Sequence, residues 1–209
     1  MGVIEKLATS LNRRDEVPNQ ELAKKIVSDN DSKAVAELAK NLRNKDSGIQ
    51  SDCIKVLYEI GESRPEMISS HANEFISLLD NKNNRLAWGA MTALDAMMPK
   101  NAELIYSALP GMIRITNEGT VITRDHLVNI LIKLATITKF QEKALSELIV
   151  QLKSCPTNQL PMYAERVLPV VSSQNKGLFR RTLISRLDDL VQESKRKRVE
   201  KVIKKLGLG

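Results

Sequence analysis

Apolar positions along this chain follow two superposed periods: within a stretch they fall at helical spacing, and from stretch to stretch they return after 37 residues. At that shift Leu57, Leu94, Leu131 and Leu168 share one column, and Ile60, Met97, Leu134 and Val171 share the next. A second comb holds Leu38, Phe75, Met112 and Ile149, followed by Ala39, Ile76, Ile113 and Val150. Two amphipathic helices per repeat satisfy both combs. A fixed period in this range belongs to stacked supersecondary units, none of which can bury its apolar face alone. The pattern predicts an all-α fold, a right-handed α-α superhelix of about five to six helix pairs.

Polar turns fall at the same phase of the repeat, Asn44-Lys45-Asp46-Ser47-Gly48 in one and Asn81-Lys82-Asn83-Asn84 in the next. Paired helices are expected over 33–43 and 49–61, 67–80 and 85–98, 102–116 and 122–136, 141–153 and 160–172, and 178–192 and 195–206. Residues 3–11 and 19–29 read as a shorter pair, with Pro18 at the opening of its second helix, where a missing N–H costs little. Residues 1–30 are thus expected to form an N-terminal helical cap, and 31–209 one continuous repeat domain. Pro65, Pro99 and Pro156 sit at predicted helix ends. Pro110 falls inside the apolar stretch Leu104 to Ile115, where a late start or a bend is expected, and Pro169 is expected to kink the helix that contains it. No alternating strand pattern occurs, and aromatics make up only 3% of the chain.

The segment Asp46-Ser47-Gly48-Ile49-Gln50, followed by Cys53, Val56, Leu57, Glu59, Ile60 and Gly61, resembles the HEAT repeat. The likeness is to the short form related to phycobilisome lyase repeats, an armadillo-type helical solenoid. In that family an aspartate ends the inter-helix turn, and an aliphatic residue and an arginine open the second helix. Here Gln50 replaces the arginine, Arg124 occupies the matching position of the third repeat, Arg85 lies two residues before that of the second, and Pro161 stands in the fourth. The aspartate–arginine ladder is therefore incomplete, and stacking must rest mainly on apolar contacts. The resemblance covers roughly residues 31–209. It implies a fold shared by scaffolds and adaptors, carrier proteins and DNA-alkylation glycosylases, so the site rather than the fold has to carry the function.

Bulk composition narrows the class. Hydrophobic residues at 42% and charged residues at 27% suit a folded soluble chain. No apolar run approaches the roughly 20 residues of a membrane span. The segment Met1 to Leu11 lacks a signal-peptide core, so a cytoplasmic location is expected. The two cysteines lie in different repeats, out of disulfide reach. Cys53 shares a column with Ala90, Leu127 and Ala164, which reads as a small core position, and Cys155 stands in a turn beside Pro156.

Candidate chemistry is sparse. His71 and His126 lie in different repeats, no Cys or His has metal-ligand spacing, and the nine glycines are scattered. Asp188-Asp189 and Asp15-Glu16 read as solvated charge. No catalytic residue, cofactor or metal is expected.

The resemblance implies that second helices line a concave face where partners bind. Its columns read Ser51, Trp88, Asp125 and Met162; Lys55, Thr92, Asn129 and Arg166; and Asp52, Gly89, His126 and Tyr163. The expected partner-binding groove accordingly comprises Trp88, Arg124, Asp125, Asn129, Met162, Tyr163 and Arg166. Trp88, the single tryptophan, reads either as an exposed anchor or as a cap on the inter-repeat core.

Net charge is +7, and from Leu178 to Gly209 ten basic residues face four acids, so the basic character belongs to one end. There Val199, Val202, Ile203 and Leu206 form an apolar stripe, and Lys197, Arg198, Lys201, Lys204 and Lys205 form a basic patch. One reading is the polar outer face that a terminal repeat needs; the other is a weak, non-specific polyanion site. The leading expectation for the chain is a non-enzymatic scaffold that binds a protein segment in its groove. The alternative is a nucleic-acid module similar to the alkylpurine glycosylases of this fold, disfavoured because base stacking would find few aromatic platforms.

Overall fold

A computed structural model describes residues 2–207, apart from the Glu118 side chain; Met1, Leu208 and Gly209, the outer ends of the two expected segments, lie outside the described residues. The helices are α1 (Val17–Asp29), α2 (Ser32–Lys40), α3 (Ser47–Ser63), α4 (Pro65–Ile68), α5 (Ala72–Ser77), α6 (Asn84–Met97), α7 (Ala102–Glu118), α8 (Val121–Ala135), α9 (Gln141–Ser154), α10 (Leu160–Val167), α11 (Ser173–Ile184) and α12 (Glu193–Gly207). No strand occurs among the described residues. By internal contacts the chain divides into two compact units, Met1–Leu127 and Val128–Gly209, and residues 1–30 group with the first. The division falls within α8.

In the first unit the repeat phase is set by capping. Asp46 closes the start of α3 by accepting the amides of Gly48 at 2.7 Å and Ile49 at 3.3 Å. Asn83, one period later, accepts the Arg85 amide at 3.0 Å at the start of α6. Gln50, standing where the family has arginine, donates to the Asn44 carbonyl at 2.7 Å and so ties the turn rather than a neighbouring repeat. Leu57, Ile60, Leu94 and Met97 of the first comb are fully buried, as are Leu38, Phe75 and Met112 of the second. Cys53, Ala90 and Leu127 of the small-residue column are buried too, and burial pushes the Cys53 thiol up to about 12, which leaves it an inert core residue.

Two predicted helices of this unit form differently. The 67–80 segment is broken into α4, a 3-10 turn at Ser69–His71, and α5. Ser69 turns its hydroxyl back onto the Pro65 carbonyl at 2.7 Å, and three weak helix formers in a row complete the break. The 3–11 segment keeps only a 3-10 turn at Ile4–Lys6. The amides that would extend it are used elsewhere: Ala8 donates to Asn19 Oδ1 at 3.0 Å and Thr9 to Asp52 Oδ2 at 2.7 Å. Helix α1 starts one residue before Pro18, as the proline requires. α7 runs through Pro110, which is exposed, so the expected late start does not occur.

The second unit buries Leu131, Leu134, Leu148, Tyr163, Ala164, Phe179 and Leu183. α10 ends at Val167, and Pro169 sits in the 3-10 turn Leu168–Val170, so the proline terminates the helix instead of kinking it. That early end leaves Leu168 and Val171, the fourth members of the first comb, only half-buried. α11 begins at Ser173, five residues ahead of its predicted start, because Ser172 caps it by accepting the Asn175 amide at 3.4 Å. Arg186 closes the far end of α9, donating to the carbonyls of Leu152 and Lys153, each at 2.8 Å, and of Cys155 at 3.1 Å. Cys155 is buried, and both cysteines are free thiols. No helix of the described residues is long and apolar enough to cross a membrane.

Candidate functional site

The first unit holds a cleft of about 560 Å³ between the segment before α1, one side of α3 and α6, and Ile122 at the start of α8. α3 contributes Ser51, Asp52, Lys55 and Tyr58, and α6 contributes Arg85, Trp88, Gly89 and Thr92. These residues recur at three- and four-residue spacing, which places them on one face of each helix. Arg13, Arg14, Asp15 and Glu16 supply the remaining wall. Trp88 is half-buried and also borders a second cleft, of about 330 Å³, with Asp80, Asn84, Ile115 and Thr123. The indole thus stands between two depressions.

The polar groups of the main cleft are largely occupied with one another. Asp52, 9% exposed, accepts from Asn19 Nδ2 and from the Thr9 amide, each at 2.7 Å, and Asn19 in turn accepts from Ala8. This chain fastens the N-terminal segment to α3. Lys55 contacts Glu16 at 2.9 Å and Glu59 at 2.7 Å and lies 4.8 Å from the Tyr58 ring centre. Burial alone would favour neutral Lys55, but its bonds to Glu59, Tyr58 and Glu16 outweigh this and hold the ammonium above its ordinary range. Burial also pushes the Tyr58 phenol up, against the pull of Lys55. Arg13 donates to Asp15 in a bidentate pair at 2.8 and 2.9 Å and keeps that carboxyl below its usual value.

Asp52→Ala is expected to cost about 2 kcal/mol, because it strands the Thr9 amide and the Asn19 side chain in a buried place. Limited proteolysis should then cut within residues 2–12 while α3 stays protected. An unchanged midpoint and an intact N-terminus would show that the tie is dispensable.

At the inner edge of the cleft, Thr92 Oγ1 lies 3.0 Å from His126 Nε2, and His126 Nδ1 lies 2.9 Å from Asp95 Oδ2, with Asp95 buried. The spacing resembles a hydroxyl–imidazole–carboxylate relay. Its chemistry is limited by the helix: the Thr92 proton is shared with the Trp88 carbonyl at 3.0 Å, and the amides around mid-helix Thr92 are committed to α6. They are therefore not available to stabilise an oxyanion. The trio joins α6 to the start of α8 inside the first unit.

The predicted groove residues are distributed as follows. Trp88 lines the cleft, whereas Arg124 and Asp125 are half-buried on α8 and do not line it. In the second unit Asn129 and Met162 are half-buried, Arg166 is exposed and Tyr163 is fully buried. Tyr163 is therefore a correction: its column turns inward at α10, where the ring fills the core and offers no surface to a partner. The pair Asp15-Glu16, read as merely solvated, is exposed but engaged by Arg13 and Lys55. His126, read as a lone residue, belongs to the trio with Thr92 and Asp95. The wall formed by residues 13–16 lay outside the repeat columns, so the column pattern gave no signal for it.

The basic patch on α12 is also altered. Arg198 donates in a bidentate pair to Glu165 at 2.6 and 2.8 Å, and Lys197 lies 3.4 Å from Glu193. Glu165 is held below its ordinary carboxylate range by this pairing. Lys201, Lys204 and Lys205 remain exposed, while Val199, Val202 and Leu206 are buried against the second unit. Among the described residues, no group of His, Cys, Asp or Glu is arranged to hold a metal ion.

No protein-family model and no curated protein matches the chain. Solved structures do. A designed armadillo repeat protein in complex with the peptide (KR)4 aligns with a TM-score of 0.66 at 14% identity, over 90% of this chain and 86% of that one. Another designed armadillo repeat protein aligns with a TM-score of 0.66 at 13% identity, over 98% of each chain. An engineered protein aligns with a TM-score of 0.60 at 17% identity, over 99% of this chain and 98% of that one. At such identities the likeness carries the fold alone, and together with the helical repeats described above it makes the chain an all-α solenoid of the HEAT and armadillo type.

Proposed function

We propose that the chain is a non-enzymatic interaction module that holds a segment of another protein in the cleft around Trp88. The observation that carries this reading is the position of the indole, half-buried between two depressions, with Tyr58 and Ile122 on the same cleft. A large aromatic that stays partly accessible is the kind of side chain from which interfaces draw much of their binding energy. The surrounding hydrogen bonds and ion pairs hold the walls in place before any partner arrives, which lowers the ordering cost of binding. A designed relative in fold is in complex with a peptide, which supports the class of partner. A cytoplasmic scaffold remains our reading of the setting.

Trp88→Ala tests this directly. The expected result is a nearly unchanged helical signal and melting midpoint together with weakened capture of the protein partner. A loss of several kcal/mol, as truncation of a core tryptophan gives, would assign Trp88 to the inter-repeat core instead. Full capture by a stably folded variant would remove the cleft from the function.

A further inference from the structure

The cleft carries a charge asymmetry that specifies its partner. Its carboxylates are already engaged: Asp15 by Arg13, Glu16 by Lys55, and Asp52 by Thr9 and Asn19. Of its four cations, Arg13 and Lys55 are held by carboxylates and two are not. Arg14 and Arg85 line the cleft, are exposed, and have no acidic partner among the described residues. A basic segment entering here would meet no unengaged carboxylate and two guanidiniums; an acidic segment would meet two planar donors suited to bidentate carboxylate contacts. On the same cleft the indole of Trp88 and the exposed side chain of Ile122, 43% accessible, offer an apolar seat.

Resting on the proposal that this cleft holds a protein segment, we infer that the segment is acidic, with Asp or Glu residues flanking one apolar side chain. Arg14 and Arg85 take its carboxylates, and Trp88 and Ile122 take the apolar residue. The contribution of the arginines is that of exposed rim charges: it raises the association rate, sets the sign of the partner and weakens with salt. The affinity itself comes from the apolar seat.

Because the chain has a single tryptophan, its selectively excited fluorescence reports on the surroundings of Trp88, and the arginine variants tie any change to this cleft. The full chain is titrated with an alternating Asp–Glu peptide bearing a central Leu, a Ser–Gly peptide with the same Leu, the (KR)4 peptide, and a single-stranded oligonucleotide. The expected result is a saturable change with the acidic peptide, weaker at high salt, and about tenfold weaker in the Arg14→Gln/Arg85→Gln double variant, a loss of about 1.4 kcal/mol. Both positions are exposed, and circular dichroism of the variant confirms its fold. Saturation by (KR)4, or equal binding of the Ser–Gly peptide, overturns the charge inference and leaves the cleft reading standing. Acidic binding that the double variant does not weaken overturns the assignment to Arg14 and Arg85. An oligonucleotide that binds more tightly than the acidic peptide overturns the protein partner in favour of a polyanion. If no peptide changes the signal, the cleft reading falls together with the inference.

Discussion

Leu94→Ala is expected to destabilise the first unit by about 2–5 kcal/mol, and Leu131→Ala to do the same in the second. Both side chains are completely buried and occupy the same column of the repeat, one period apart. Truncation removes the transfer free energy of the lost methyl and methylene groups and leaves a cavity that helices pinned on both sides cannot fill by sliding. Repeat proteins spread such a loss to nearest-neighbour interfaces, so the denaturant midpoint should fall and the transition should broaden. Val150→Ala provides the control, since Val150 continues the second comb but is 48% exposed on α9; its effect should stay within about 0.5 kcal/mol. If both leucine variants unfolded with unchanged midpoints, these columns would not be the seams between helices.

The behaviour of Val150 shows how far the pattern could be read. The combs identify which residues are apolar at helical spacing, and the column through Leu57, Leu94 and Leu131 is buried, whereas Val150 closes the second comb within the intact helix α9 and is still exposed. They fail also where local chemistry redirects the backbone. Ser69 breaks a predicted helix by bonding its own turn, and Pro169 ends α10 early enough to leave Leu168 half out of the core. The segment at residues 3–11 has helical spacing yet gives its amides to Asn19 and Asp52, which lie 11 and 43 residues further along the sequence. Nothing in the spacing of apolar residues encodes such pairings. The candidate site divides along the same line: Trp88, Lys55 and Thr92 were legible from their columns, whereas the wall at Arg13 to Glu16 and the unmet charges of Arg14 and Arg85 follow only from three-dimensional pairing.

Gly89 is where the fold and the cleft depend on one atom. It lies buried on α6 at the contact with α3, and a Cβ built there would overlap Cγ1 of Ile54, with Cγ2 and Cβ of the same side chain at 3.2 and 3.3 Å. Ile54 is itself 1% exposed and β-branched, so it has no easy rotamer to retreat into. Two terms of opposite sign compete in Gly89→Ala. Helix propensity favours alanine by about 1 kcal/mol, while overpacking a filled interface costs about 1–3 kcal/mol. The overlap with a stiff neighbour decides for a net loss of about 1–2 kcal/mol, and Gly89→Val, which adds branching, should lose about 3 kcal/mol. Gly111 on α7 is the counter-case: a Cβ there meets nothing within 4 Å, so Gly111→Ala should stabilise by up to about 1 kcal/mol. Combining Gly89→Ala with Ile54→Val should return part of the loss, with a coupling of about 0.5–3 kcal/mol in a double-mutant cycle. The close approach of α3 and α6 also brings Lys55 and Tyr58 onto the same cleft as Trp88 and Thr92. Gly89→Val should therefore shift the Trp88 emission in the folded state, before any unfolding is detected. A stabilised Gly89→Ala with native emission would mean that the two helices do not need this contact and that the cleft is shaped elsewhere.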